Sequence, residues 1–201
     1  YERATPRMLL RFEESGAEAS FADASGYGNA ATCSGNGCPA LERVGYHGYA
    51  RDFDGVDDAV HIPADVLNDL TSGTIATWLY LDDNTEETLF AKQHDGVNSY
   101  GVLSVGYTPT QMGDVGRVYF HARNGASLLQ SNSLLQTGQW YHVALTLGDP
   151  MKLYLNGQLV DSGGASFVPH ALAAIGRAAG GTRDVYDEDK TTQDGWAFKG
   201  L

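Results

Sequence analysis

The sequence predicts an all-β fold, a sandwich or barrel, and three observations support this prediction. Short stretches of alternating apolar residues, rich in aromatic and β-branched side chains, recur along the 201 residues and are bounded by Gly, Asn and Asp. The 25 glycines and only six prolines are typical of a turn-rich globular protein. Only residues 63–70 (PADVLNDL) suggest a helix, of one or two turns. We therefore expect a single all-β domain over residues 1–201.

Eleven segments carry the strand pattern. They are residues 8–12, 50–53, 59–62, 73–81, 87–92, 100–106, 116–122, 140–147, 152–155, 158–162 and 173–176. The clearest hairpin signal is Asn156-Gly157, because both residue types tolerate the positive φ of a tight turn between two apolar runs. A second turn at residues 148–150 (GDP) precedes this hairpin. Residues 140–162 are therefore predicted to form a three-stranded meander.

Charge and hydropathy exclude two classes of partner. Thirteen Lys and Arg against 25 Asp and Glu give a net charge of −12 at pH 7, which repels phosphate backbones and anionic headgroups. No apolar run approaches the ~20 residues that cross a membrane. We therefore expect no nucleic-acid partner and no membrane insertion.

Two segments are too long for tight turns and are predicted to be irregular loops. Residues 15–48 hold both cysteines and a run of Gly, Asn and Ser, and residues 178–195 hold five acidic side chains. Loops of this length often carry function or bind an ion.

Cys33 and Cys38 are the only cysteines, and the four residues between them are all turn formers. Their Cα atoms can therefore approach to bridging distance. A disulfide would close a small loop, stabilise the fold by about 2 kcal/mol and imply an oxidising compartment. Two free thiols, or half of a zinc site, are the alternatives.

Seven segments recur in the order of a known family. They are residues 9–13 (LLRFE), 22–29 (ADASGYGN), 50–63 (ARDFDGVDDAVHIP), 74–79 (TIATWL), 139–144 (QWYHVA), 152–157 (KLYLNG) and 174–177 (AIGR). This set resembles the laminin G-like jelly rolls of the concanavalin A-like superfamily. The resemblance implies an antiparallel two-sheet jelly-roll sandwich in a secreted or cell-surface protein. Such modules bind glycans or proteins, and they often hold a structural Ca²⁺.

The resemblance also implies a last strand after Leu201, rich in acidic and alternating apolar residues. Without it, one sheet would expose an edge of backbone donors and acceptors that favours strand addition. We expect either that the polypeptide continues or that a partner protein completes the sheet.

Calcium is the predicted cofactor. Asp23 and Asn29 offer a carboxylate and an amide oxygen around two glycines, and hard cations take such mixed oxygen shells. By resemblance, the ion would pin this N-terminal loop to the last strand. The alternative is an Asx-type turn without metal. The acidic segment 184–194 is a second candidate, although it fails the EF-hand pattern and is expected to be a solvated loop.

Sugar recognition would use exposed aromatic faces beside hydrogen-bonding groups. Trp78 and Trp140 lie in the most apolar strands and are predicted to be core residues. Six residues in or near loops are the predicted ligand-binding set: Tyr27, Tyr46, Tyr107, Arg123, Tyr186 and Trp196.

No known catalytic motif occurs in the sequence. The one dense group of strand-proximal acids, within residues 52–58 (DFDGVDD), flanks Gly55 and is typical of a structural corner rather than a glycosidase pair. The sequence therefore predicts an extracellular, non-catalytic recognition module, most readily for carbohydrate. A structural or adhesive subunit that contacts protein neighbours through sheet edges is the alternative, and a glycan hydrolase or lyase is the third.

Overall fold

The structure is a computed structural model, and it describes residues 5–15, 19–83, 87–92, 101–108, 111–112, 116–122, 127–164, 173–176 and 198–201. These residues form a nearly all-β protein with one short helix, α1 (Ala64–Leu67). The strands are β1 (Ser20–Phe21), β2 (Ala31–Thr32), β3 (Ala40–Val44), β4 (Tyr49–Asp54), β5 (Val60–Ile62), β6 (Gly73–Tyr80), β7 (Glu87–Lys92), β8 (Gly101–Val105), β9 (Tyr107–Thr108), β10 (Gln111–Met112), β11 (Arg117–Ala122), β12 (Ser127–Leu134), β13 (Trp140–Leu147), β14 (Met151–Leu155), β15 (Gln158–Gly163), β16 (Ala173–Ile175) and β17 (Lys199–Gly200).

The strands form two layers, in agreement with the predicted antiparallel sandwich. One layer is an eight-stranded sheet in the order β1-β2-β5-β16-β7-β8-β11-β12. The other contains the sheet β15-β14-β13-β6 and the sheet β17-β4-β3. A bridge between Leu81 and Gly200 joins these two smaller sheets. All the strand pairs are antiparallel, as in a jelly roll.

The core lies between the layers and follows the alternation of the strands. Val143 and Leu145 of β13 and Leu153 of β14 point inward, with exposures of 1% or less. They pack in one apolar cluster with residues of the eight-stranded sheet such as Leu103 and Phe120. Because each inward residue alternates with an outward one, the same strands present a second face away from the core.

The predicted meander is confirmed. β13 pairs with β14, and β14 pairs with β15. Asn156 and Gly157 form the hairpin turn with φ angles of 50° and 78°, the conformation that this residue pair tolerates. The strands near 50–53, 59–62, 73–81, 87–92, 100–106, 116–122 and 173–176 are also confirmed to within a residue or two.

Several parts of the chain differ from the expectation, and the short strands β9, β10 and β17 are among them. Residues 8–12 do not form a strand, since Phe12 has a φ of 58° and only Leu10 makes a bridge, to Asp23. The predicted loop 15–48 contains β1, β2 and β3. β12 was not expected because its sequence, SLLQSNSL, lacks strict alternation.

The predicted disulfide is present. Cys33 and Cys38 are bonded across a turn of 3₁₀ helix at Gly35–Gly37. Cys33 is buried and belongs to the core cluster. The bond therefore ties the segment before β3 to the core.

Replacement of Cys33 and Cys38 together by serine should lower the free energy of unfolding by about 2 kcal/mol, because the short loop is then free in the unfolded chain. Denaturant unfolding of both proteins measures this difference. Before reduction, neither thiol of the native protein should react with a thiol reagent. Prompt labelling of the untreated protein, or equal unfolding midpoints, would contradict the assignment.

Candidate functional site

The candidate site is an aromatic groove on the outward face of β6 and β13. The antiparallel register places Trp78 opposite His142 and Tyr80 opposite Trp140. Paired residues point to the same side of a sheet, so these four side chains share one face. The rings of Trp78 and His142 lie 5.1 Å apart between centroids, and those of Tyr80 and Trp140 lie 5.5 Å apart.

The tip of the β3–β4 hairpin closes one side of this groove. The four-residue turn Gly45 to Gly48 is held by a hydrogen bond from the Gly45 N–H to the Gly48 carbonyl. Its central residue Tyr46 stacks on Trp78, with ring centroids 3.6 Å apart and planes 12° from parallel. Tyr46 also meets Trp140 edge to face at 6.3 Å. The hairpin thereby contributes an aromatic wall to a surface that belongs to another sheet.

The β14–β15 turn closes the other end. The Asn156 side-chain oxygen accepts a hydrogen bond from the His142 N–H at 2.9 Å, and the Asn156 N–H donates to the His142 carbonyl at 2.7 Å. These two bonds hold Asn156 against the backbone of His142.

Together these elements border an open depression with a volume of about 560 Å³. It is lined by Tyr46, Trp78, Trp140, His142, Asn156 and Gly157. Trp78 is 38% exposed and Tyr46 is 47% exposed. The groove thus offers large apolar ring surface to solvent beside a few hydrogen-bonding groups.

The prediction that Trp78 and Trp140 belong to the core is wrong. Trp78 is exposed and Trp140 is half-buried, because the inward positions of the same strands are taken by residues such as Leu79 and Val143. The alternation of side chains along a strand separates its two faces, although it does not show which face is the core. Trp78 lies an odd number of positions from Leu79, so the two cannot face the same side of a strand.

Of the other predicted ligand-binding residues, only Tyr27 has a described side chain, and it is not among the residues that line the groove. Tyr27 is 66% exposed in the loop after β1. The backbone of Tyr107 belongs to β9, and its side chain lies outside the described structure. Arg123, Tyr186 and Trp196, and the acidic segment 184–194, also lie outside the described residues.

The structure places the two predicted calcium ligands, Asp23 and Asn29, next to each other. Asp23 Oδ1 accepts hydrogen bonds from the Leu9 and Ser25 N–H groups, both at 2.9 Å. Asp23 Oδ2 accepts from the Ser25 hydroxyl at 2.6 Å and from the Asn29 N–H at 3.0 Å. The Asn29 amide nitrogen donates to the Arg7 carbonyl at 2.8 Å.

These contacts determine the ionisation of Asp23. Desolvation raises its pKa, but the hydrogen bonds from Ser25, Leu9 and Asn29 together lower it more, so the pKa of Asp23 lies well below its ordinary value. Four donors already occupy the acceptor positions of the carboxylate. The loop is therefore organised by the chain's own hydrogen bonds, and an ion at Asp23 would have to displace some of them.

A second acidic group lies at the corner between β4 and β5. Carboxylate oxygens of Asp54, Asp57 and Asp58 lie within 4.8 Å of one another, a spacing that could hold a metal ion. Asp54 Oδ1 accepts from the N–H groups of Val56 and Asp57, as in an Asx turn. These contacts support the predicted structural corner.

Asp58 is the buried member of this group, with 4% of its surface exposed. Desolvation raises the pKa of Asp58 to about 6, against the opposing hydrogen bond from the Asp54 N–H, and the charges of Asp54, Asp57 and Asp52 raise it further. The native state therefore binds a proton here more tightly than the unfolded state does.

A raised carboxyl pKa costs stability as pH rises from the unfolded value near 4 through the folded value near 6. The Asp58 contribution to the free energy of unfolding should accordingly fall by about 1 to 2 kcal/mol between pH 4.5 and pH 7. Asp58→Asn should remove this component, whereas Asp65→Asn, on the exposed face of α1, should keep it. Urea unfolding at both pH values measures the change in the free energy of unfolding. If this change were the same in Asp58→Asn as in the unmodified chain, the assignment would be contradicted.

The fold and the groove define a class: a concanavalin A-like sandwich with an aromatic site on its outer face. The family model of the concanavalin A-like lectin/glucanases superfamily, in its laminin G form, matches residues 54–187. The chain belongs to this laminin G-like family. Among curated proteins, no sequence matches the chain.

Solved structures with the same fold come from several kinds of protein. Domain 4 of AbnA, a GH43 extracellular arabinanase from Geobacillus stearothermophilus in complex with arabinotriose, is 21% identical with a TM-score of 0.64, over 90% of this chain and 82% of that one. The botulinum neurotoxin serotype D ligand-binding domain in complex with N-acetylneuraminic acid is 14% identical with a TM-score of 0.62. Domains LG4-5 of the mouse laminin α1 chain are 13% identical with a TM-score of 0.57.

The alignments with the toxin domain and with the laminin domains include most of this chain but less than half of the other chain. The alignment includes 90% of this chain and 44% of the toxin chain, and 84% of this chain and 42% of the laminin chain. The chain therefore spans less than half of those two proteins. At these identities the similarity establishes the fold.

Proposed function

We propose that the protein is a non-catalytic module that recognises carbohydrate through the aromatic groove. The observation that carries the proposal is the exposed stack of Tyr46 on Trp78 beside Trp140, His142 and Asn156. Exposed large rings on a folded domain usually mark a binding site. The arabinanase domain with arabinotriose and the toxin domain with N-acetylneuraminic acid show that this fold accommodates sugar ligands elsewhere.

The groove suits a sugar because its two kinds of surface match the two kinds on a sugar ring. Tyr46 covers one face of Trp78, and the ring surface that Tyr46, Trp78 and Trp140 leave exposed offers flat apolar area for the C–H side of a sugar ring. The imidazole of His142 and the amide of Asn156 offer hydrogen-bonding groups for hydroxyls. Both tryptophans stand on paired strands, so the site is rigid before a ligand arrives, and little ordering is required on binding.

The proposal includes no hydrolysis. Glycosidases need two carboxyl groups flanking the scissile bond. The lining of the groove, as far as the structure describes it, contains no Asp or Glu. The groove therefore provides contacts for binding without an acid and base for cleavage.

An extracellular location is part of the proposal. The Cys33–Cys38 disulfide supports it, because such bonds persist in oxidising compartments. The described residues include no helix long and apolar enough to cross a membrane. The arabinanase that holds the similar domain is itself extracellular.

The test is titration of the chain with a panel of soluble oligosaccharides while tryptophan fluorescence is recorded. Two of the three tryptophans line the groove, so a bound sugar should change the emission in a saturable way. A panel in which no neutral or acidic glycan changes the emission, and none retards the protein in affinity electrophoresis, would overturn the proposal.

A second candidate function is strand addition by a protein partner, and one observation favours it. Among the described residues, the edge of β6 opposite β13 is paired only at its end, where Tyr80 and Leu201 exchange backbone hydrogen bonds. Thr77 is exposed on this edge strand. Such an edge accepts another strand readily. Cross-linking at Thr77→Cys would reveal a strand at this edge, and a monomeric, uncross-linked protein in every buffer would count against it.

Calcium binding at Asp23 and Asn29 remains a prediction, and the group Asp54, Asp57 and Asp58 is a second place that could hold the ion. An ion that binds only the native state raises its stability by RT ln(1 + [L]/Kd). Thermal unfolding with calcium and with chelator measures this effect. A rise that Asp58→Asn removes would place the ion at the β4–β5 corner, and a rise that Asp23→Asn removes would place it at the N-terminal loop.

A further inference from the structure

The charge distribution around the aromatic groove distinguishes between classes of glycan. The similar structures contain both kinds of ligand, since arabinotriose is uncharged and N-acetylneuraminic acid carries a carboxylate. The fold alone therefore does not select one class. Recognition of an acidic sugar in a protein normally uses an Arg or Lys that pairs with its carboxylate or sulfate.

The described lining of the groove has no Arg or Lys. Its members are a tyrosine, two tryptophans, a histidine, an asparagine and a glycine. Nothing in this described lining offers the fixed cation that an anionic group requires.

The cations near the groove are paired with acids. Arg43, on the strand that leads to Tyr46, lies 2.8 Å from Asp82 and 3.6 Å from Asp52. Lys199 lies 3.5 Å from Asp83. Each of these two cations therefore already faces a carboxylate of the chain.

One further cation shares the outward face of the sheet. Lys152 pairs in register with Thr146, which lies four positions along β13 from His142. Four residues of strand span about 13 Å. This separation exceeds the Debye length at 0.15 M salt. The charge of Lys152 is therefore largely screened from a ligand bound between Trp78 and His142.

The net charge of the whole molecule also disfavours anionic glycans. Its net charge of −12 at pH 7 repels anionic polysaccharides before they reach the groove. A neutral chain meets no such barrier, and the apolar faces of Trp78 and Trp140 favour it as they favour any uncharged ring.

We infer that the groove selects uncharged glycans, neutral hexose or pentose chains, over glycans that carry carboxylate or sulfate groups. This inference rests on the proposed function and specifies its ligand class. It also predicts how the affinity depends on salt. Binding by stacking and neutral hydrogen bonds is insensitive to ionic strength, whereas binding by ion pairs weakens as the salt concentration rises.

The experiment compares neutral oligosaccharides, such as arabinan, xylan and mannan fragments, with acidic ones, such as galacturonan fragments, heparin fragments and sialyllactose. Binding to the full chain is measured by calorimetry at pH 7.5 in 50 mM and 500 mM NaCl. We expect a neutral glycan to bind with an affinity that changes less than about twofold between the two salts. Trp78→Ala should lose this binding, and Leu134→Ala, which removes an exposed leucine from the other sheet, should retain it.

The outcomes separate the two proposals. An acidic glycan that binds more tightly than every neutral one, weakens by about tenfold or more in high salt and is lost in Trp78→Ala would overturn the ligand class while keeping the recognition function. Neutral binding that survives in Trp78→Ala would overturn the assignment of the groove. No binding to either class would overturn the recognition function itself.

Discussion

Trp78→Ala should reduce glycan affinity by about 30-fold or more, the effect of removing a central aromatic anchor that contributes about 2 kcal/mol. The ring of Trp78 is the floor of the groove and also the surface on which Tyr46 stacks. Its removal takes away both the sugar platform and the support of the hairpin wall. The fold should persist, because the side chain points away from the core cluster.

Isothermal titration calorimetry with the best-binding oligosaccharide checks this loss. Tyr46→Ala serves as an independent second variant. Because Tyr46 belongs to the tip of the β3–β4 hairpin, its replacement leaves the four-stranded sheet intact. We expect a smaller loss for Tyr46→Ala. The control Leu134→Ala should bind as the unmodified chain does. Native affinity in both aromatic variants, with a circular dichroism spectrum unchanged from that of the unmodified chain, would show that sugar binds elsewhere.

Asp23→Asn should lower the free energy of unfolding by about 1 to 2 kcal/mol at pH 7 in the presence of chelator, a value reduced for the partial exposure of the carboxylate. Four hydrogen bonds converge on its two oxygens. An asparagine can accept at one side-chain atom, but its amide group would face donors on the other side. The loop between β1 and β2 should therefore loosen.

The contribution of Asp23 to the free energy of unfolding changes with pH in the direction opposite to that of Asp58. The folded pKa of Asp23 lies below its ordinary value, so its stabilisation is complete above pH 4 and is lost as the pH falls. The free energy of unfolding of the unmodified chain should exceed that of Asp23→Asn by less at pH 3 than at pH 7. Urea unfolding at the two pH values measures both differences. Asp65→Asn, an exposed control, should change little. A loss that occurs only in calcium buffer would identify Asp23 as a metal ligand instead.

Local signals in the sequence predicted much of the fold. The hairpin at Asn156-Gly157 and the strand 140–147 follow from turn chemistry and alternation, both of which act over a few residues. The disulfide also follows from a short spacing between Cys33 and Cys38. By contrast, β3 and β12 have weak strand patterns of their own, and each is paired in the structure with its neighbour along the chain, β4 and β11.

The candidate site was harder to predict because it is assembled from segments distant in sequence. Tyr46 was a candidate for ligand binding, but its contact with Trp78 spans 32 positions and depends on how two sheets meet. The sequence predicts Trp78 and Trp140 to be core residues because they lie in the most apolar strands. Alternation alone assigns them to the face opposite Leu79 and Val143, and only the layer arrangement shows which of the two faces is the core.

The most direct test of the groove as the recognition site is a nuclear magnetic resonance titration of isotope-labelled protein with a neutral oligosaccharide that binds. We expect the largest shift changes at the indole N–H groups of Trp78 and Trp140 and at the Asn156 amide. Changes that cluster instead around Asp23 and Tyr27, with both indole signals unmoved, would contradict the account and place recognition at the N-terminal loop.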